Sequence, residues 1–212
     1  MAEKTKTLLI ACGALAREVT TLIRTQGWDH YKVTCLPAHL HNRPEKIPEA
    51  VRAKIRTGRH YHDRIFVLYG DCGTGGMLDK ILAEEEVERI PGPHCYEFYT
   101  GVADFAVLSE AEPGTFFLTD YLVRHFNRLI IKGLGLDRHP QLLGDYFGNY
   151  RLLVHLAQTE DAALRVRAEA AAKRLGLGFE YRFTGLQGLG QFLGEPGVSE
   201  DKDGQPRHRL LA

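Results

Sequence analysis

Ile65-Phe66-Val67-Leu68-Tyr69-Gly70-Asp71-Cys72-Gly73-Thr74-Gly75-Gly76, followed at once by Met77-Leu78-Asp79-Lys80-Ile81-Leu82, is the stretch that decides the fold class. Five apolar residues rich in β-formers read as a buried strand. The glycines end it, and a helical pattern starts immediately afterwards. That is one strand-to-helix unit of an α/β protein. The same order recurs on both sides. A strand at 7–11 leads to a helix at 14–26, where Leu15, Val19, Leu22 and Ile23 form an apolar stripe. A strand at 31–36 precedes a helix around 49–56, and a strand at 87–90 is stopped by Pro91-Gly92-Pro93. Helical segments at 95–99 and 102–108 then precede a strand at 115–118. Strands joined through helices run parallel. The expectation is an α/β fold with a mostly parallel open sheet flanked by helices.

The second half reads as more helical, with helices at 120–132, 141–157 and 162–175, a sixth strand at 179–183 and a short helix to 193. No repeat or linker divides the chain, so residues 1–194 are expected to form a single domain. Residues 195–212 carry Pro, Gly and charge without periodicity and read as a disordered tail. The 212 residues balance 27 basic against 27 acidic side chains, which leaves no electrostatic footprint for nucleic acid. No apolar stretch reaches membrane-spanning length. The start of the chain lacks a secretory core, so the expected compartment is the cytoplasm, where structural disulfides are uncommon.

The positions of the four cysteines carry the functional signal. Cys12, Cys35 and Cys72 each stand just beyond or at the end of a strand, and Cys95 follows the strand at 87–90 by a few residues. In a parallel sheet the carboxyl ends share one edge, where open α/β folds bind ligands. Thiolates gathered there could hold zinc or an iron–sulfur cluster. No close Cys pair marks a structural zinc site, so the spacing fits a centre built into a cleft. The plain alternative is that each cysteine is a small buried hydrophobe.

Three further groups lie near that edge. Gly70, Gly73, Gly75 and Gly76 between strand and helix could let backbone N–H groups approach a bound cofactor or anion, although neither the GxGxxG nor the P-loop spacing is present. The same run resembles a nucleophile elbow with Cys72 in place of serine, except that Thr74 stands where the second glycine belongs. His41 is the preferred histidine for metal ligation, and His94, beside Cys95, is a candidate for moving protons. Asp71 is a candidate general base or partner of a ligating histidine. Asp120 follows Thr119 and reads as a helix cap. His155, in the helical half, reads as exposed or structural.

Leu9-Ile10-Ala11-Cys12 with Arg17-Glu18, Leu40-His41 with Pro44, Tyr69-Gly70-Asp71-Cys72, Ile90-Pro91 through His94-Cys95, and Pro113-Gly114-Thr115 together resemble an uncharacterised prokaryotic family, domain of unknown function 1638 (DUF1638). The resemblance runs from about Thr7 to Leu193. It implies cysteines at the positions of Cys12, Cys72 and Cys95 and histidine at that of His41, whereas the position of Cys35 is commonly not cysteine. Many members carry His-Asp-Cys where this chain has Pro93-His94-Cys95. The resemblance also implies a neighbourhood with corrinoid-dependent methyltransferases, and hence a part in methyl transfer or one-carbon metabolism.

The leading expectation is a metal-binding protein with Cys12, Cys72, Cys95 and His41 around zinc or an iron–sulfur cluster. The alternatives are a metal-free enzyme with a cysteine nucleophile and a non-catalytic, cofactor-binding accessory protein of a methyltransferase system.

Overall fold

Strand β1 (Thr7–Cys12) is buried at its first five residues, which include four consecutive apolar side chains. A strand apolar on both faces must be covered on both, which is the condition inside a parallel sheet. The computed structural model, which describes residues 6–194, places it there. β1 pairs in parallel with β2 (Tyr31–Leu36) on one side and β3 (Arg64–Leu68) on the other. β3 pairs with the two-residue β4 (Glu88–Arg89), giving the order β2-β1-β3-β4. Alternate β1 side chains enter opposite layers, as the pleat requires. Leu9 and Ala11 pack with Leu15, Val19 and Leu22 at and within α1 (Ala16–Gln26). Leu8 and Ile10 pack with Val51 and Ile55 of α2 (Ile47–Gly58) and with Leu78 and Leu82 of α3 (Met77–Glu84). Gly27, at φ 65°, closes α1 with the left-handed cap that glycine adopts without steric cost.

After α4 (Glu97–Thr100) and α5 (Val102–Ala111) a second parallel sheet begins. Its order is β5 (Thr115–Thr119), β6 (Leu152–Ala157), β7 (Gly178–Phe183). Between β5 and β6 run α6 (Asp120–Arg124), one π-helical turn (Asn127–Ile131) and α7 (Leu143–Phe147). α8 (Ala162–Leu175) joins β6 to β7. α9 (Gln187–Gly194) then returns to the first sheet, where Leu189 and Leu193 are buried against its core. The Tyr31 hydroxyl donates to the Leu193 carbonyl at 2.9 Å, fastening that return.

The α/β class and the parallel strands are as expected, and the strands divide between two sheets. The sequence reading of one helix over 141–157 is corrected. Residues 143–147 are helical, but Leu152–Ala157 is the central strand of the second sheet. A short, continuous apolar run has no period to separate a buried helix from a buried strand. The helix read over 120–132 is also interrupted, passing from α6 into the π-helical turn. Among the described residues no helix is long and apolar enough to cross a membrane. The segment 195–212, read as a disordered tail, lies outside the described residues.

Docking of α9 predicts that Leu189→Ala costs about 2–5 kcal/mol, as expected for a truncated core leucine. Urea unfolding measures this. A cost below about 0.5 kcal/mol would mean that α9 does not belong to the first sheet's core.

Candidate functional site

In the order β2-β1-β3-β4 the chain leaves β1 toward one side and returns after β2 to the other. A crevice therefore opens at the carboxyl ends of β1 and β3, the topological switch point where this class of sheet binds ligands. Cys12 ends β1, and Tyr69 and Cys72 follow β3. Cys95 lies in the loop after β4, and His41 on a 3₁₀ turn, Ala38–Asn42, after β2. These five residues line one cavity of about 20 Å³, closed from the second sheet by Thr119, Tyr121, Leu122 and Leu129. That space is on the scale of a single water or ion. Among the described residues, however, no three His, Cys, Asp or Glu side chains stand in a geometry that could hold a metal ion. The thiols share a cavity without sharing a coordination point.

Two loops are laced together to bring Cys72 and Cys95 into contact. The Asp71 N–H donates to the Gly92 carbonyl at 3.1 Å, and the Cys72 N–H to that of Pro93 at 2.8 Å. Gly70 permits this approach, because a Cβ there would lie 3.0 Å from the His94 backbone. Cys72 itself sits at φ 50°, a left-handed conformation that L-residues other than Asn and Asp seldom adopt and that holds about 1–3 kcal/mol of strain. The neighbouring Cys95 thiol favours the charged form of Cys72, and backbone N–H groups of Cys95 and Gly70 act in the same direction. These outweigh burial and hold the Cys72 pKa below the ordinary thiol value. Cys95 is pushed the other way by its neighbour Cys72, by burial and by the Cys72 charge. The pair is thus one thiolate-prone sulfur and one thiol that keeps its proton. Burial pushes Cys12 up to about 11, although the Ala14 N–H lies 3.5 Å from its sulfur.

The loop glycines have a visible structural task. The Asp71 carboxylate accepts from the Thr74 hydroxyl at 2.6 Å and from the N–H groups of Gly75 and Gly76 at 3.2 and 2.9 Å. Those donors are therefore spent inside the turn rather than offered to an anion. Asp71, led by its Thr74 hydrogen bond, has a pKa below the usual carboxylate value, which suits a turn cap better than a general base. Gly73 packs beside Pro44. His94 is exposed, its ring 6.2 Å from those of Tyr96 and Phe105, and its charge acts on His41. His41 is exposed at the rim, and packing around its ring with the His94 charge beside it holds its pKa below the usual imidazole value. Cys35 packs in the core beside the site but does not line the cavity.

A second polar cluster underlies the wall contributed by the second sheet. Thr119, not Asp120, caps α6, through a 3.4 Å bond from the Leu122 N–H. Asp120 is 0 % exposed and accepts from His155 Nε2 at 2.9 Å, the Thr159 N–H at 3.0 Å and the Thr159 hydroxyl at 2.5 Å. Arg124 approaches the same carboxylate at 3.7 Å. Burial alone would raise the Asp120 pKa, but these hydrogen bonds and the His155 and Arg124 charges hold it below the usual value. Glu18 of α1 lies within electrostatic range of this cluster. It is buried, one of its oxygens is unpartnered, and it interacts with Arg124 and Asp120. Both residues left a trace in the sequence. His155 is the one polar residue in Leu152–Ala157, and Glu18 falls between Leu15 and Leu22 on the buried stripe of its helix.

Breaking a buried charge pair strands its partners, so Asp120→Asn is expected to cost about 3–5 kcal/mol at neutral pH. Because the folded pKa of Asp120 is depressed, its contribution is fully present above the ordinary carboxyl value of about 3.9 and is lost as pH falls through the folded value. The stability gap between wild type and variant, read by urea unfolding, should therefore narrow on acidification. A gap unchanged down to pH 3 would contradict this account.

No curated protein matches the chain. A family model described as "Protein of unknown function (DUF1638)" matches residues 35–193, a span that contains His41, Cys72 and Cys95 and begins after Cys12. With three quarters of its length inside that match, the chain belongs to the DUF1638 family.

Proposed function

We propose that this protein binds one soft metal ion through Cys12, Cys72 and Cys95, in the crevice between its two sheets. The observation that carries the reading is that three thiols, one at the end of β1 and two on the loops after β3 and β4, line one ion-sized cavity. A single nucleophile needs one thiol and a base. Three convergent thiols suit a soft ion that replaces their protons. Staggered χ1 wells give each sulfur more than one position, and the reading requires the three to turn toward a common point when the ion binds. A cavity of about 20 Å³ favours a single ion such as zinc over a four-iron cluster, which would need the walls to separate.

Three protein thiolates leave zinc an open fourth position, where it can lower the pKa of a bound water or substrate thiol. His41, kept neutral by its lowered pKa, stands at the rim as a proton acceptor. Activation of a thiol is chemistry suited to accepting a methyl group. The reading therefore extends to a role beside a corrinoid-dependent methyltransferase system, the partner that the family resemblance implies.

Anaerobically purified protein should carry close to one zinc-type ion per chain by elemental analysis and be colourless. Cys12→Ser, Cys72→Ser and Cys95→Ser should each weaken binding at least tenfold, while Cys35→Ser should leave it intact. Brown, iron- and sulfide-containing protein would replace the single ion with a cluster. Stoichiometric absence of any metal, or serine variants that bind as well as wild type, would end the proposal.

The strained backbone and depressed pKa of Cys72 favour one second reading, a metal-free thiol nucleophile at that residue. On this reading iodoacetamide labels Cys72 of metal-free protein well ahead of the other three cysteines. Uniform, slow labelling followed by mass spectrometry would count against it.

A further inference from the structure

We infer that Cys72 and Cys95 are a reversible dithiol–disulfide couple that exchanges with low-molecular-weight disulfides. The couple needs no metal ion, so it goes beyond the reading above and stands apart from it. Among the described residues no three side chains are placed as a metal would require, but a disulfide requires only two thiols. Cys72 and Cys95 are the two that the fold brings together. They lie on separate loops, after β3 and after β4. Two backbone bonds hold those loops against each other, from the Asp71 N–H to the Gly92 carbonyl and from the Cys72 N–H to that of Pro93. Across this seam the two side chains are neighbours, and the Cys95 N–H also meets the Cys72 sulfur. Both residues are free, half-buried and on the lining of one cavity.

The other two cysteines lack this arrangement. The Cys12 sulfur stands by the Ala14 N–H at 3.5 Å and by Tyr69, and Cys72 acts on it through charge alone. Cys35 does not line the cavity. An internal disulfide also suits a space of about 20 Å³, because it adds no atom: two protons leave and the sulfurs close to about 2.05 Å. The left-handed backbone of Cys72, at φ 50°, is a cost that the fold bears at this residue, and such strain gathers at functional positions.

The exchange runs in two steps. The Cys72 thiolate attacks one sulfur of an external disulfide, forming a mixed disulfide and releasing one external thiolate. Cys95 then gives up its proton and attacks the Cys72 sulfur, forming the internal bond and releasing the second external thiolate. The protein dithiol loses two electrons, the external disulfide gains them, and the protons of Cys72 and Cys95 end on the two thiols released. With both sulfurs held in place the second step is intramolecular, so it outruns attack by another external thiol.

The test uses chelator-treated, metal-free protein. Oxidised glutathione is added anaerobically, remaining thiols are blocked with N-ethylmaleimide, and peptide mapping by mass spectrometry locates every cysteine. The expected product is a Cys72–Cys95 disulfide that excess reduced glutathione returns to the dithiol, with Cys12 and Cys35 at least tenfold less modified. Cys95→Ser should stop at a stable glutathione adduct on Cys72, whereas Cys12→Ser and Cys35→Ser should form the internal bond as wild type does. In wild type, separate glutathione adducts on Cys72 and Cys95, bonds shared with Cys12 or Cys35, or four unmodified thiols would each overturn the couple, whatever metal analysis shows. A wild type that pairs Cys72 with Cys95 but binds no zinc would uphold the couple and end the metal-binding reading alone.

Discussion

Burial of β1 on both faces is the constraint from which the remaining architecture follows. A strand with Leu8 and Ile10 on one side and Leu9 and Ala11 on the other cannot lie at a surface. It must have strands beside it and helices above and below. That requirement places β2 and β3 on its two edges and makes its carboxyl end the point where the chain's path reverses. Cys12 occupies that point, so the position of the first thiol follows from the hydrophobic burial of the five residues before it.

The other thiols arrive by a different means. Cys72 and Cys95 sit on loops, which a sheet positions only coarsely. Backbone bonds from Asp71 and Cys72 to Gly92 and Pro93 hold the loops in register, and Gly70 gives them room to touch. The strain at Cys72 and the self-capping of Asp71 belong to the same device. The loop uses its own carboxylate to hold a turn that no regular element would stabilise, and the result is two thiols on the lining of one cavity. A glycine-rich run between strand and helix can thus serve a side chain instead of cradling an anion.

The wall of the cavity depends on the second sheet, and the second sheet depends on a buried polar network. Asp120 is tied to His155, Thr159 and Arg124, and the buried Glu18 of α1 feels the charges of Asp120 and Arg124. Buried charges gain from being paired and lose heavily when a partner leaves. The network therefore fixes the wall that the second sheet gives the cavity. Helix α9 ties the two halves together by returning from the last strand to the core of the first sheet.

The α/β class, the parallel strands and the placement of Cys12, Cys72, Cys95 and His41 at one edge could be read from periodicity and glycine punctuation, because those are local signals. The strand at Leu152–Ala157 could not, since a continuous apolar run lacks a period that distinguishes it from helix. Nor could the division into two sheets, because whether β5 continues the first sheet depends on edge partners distant in the chain. The burial of Glu18 and the pairing of His155 with Asp120 were hidden for the same reason. What a polar side chain does is decided by whether burial leaves it paired, and pairing is a property of neighbours that only the folded chain brings together.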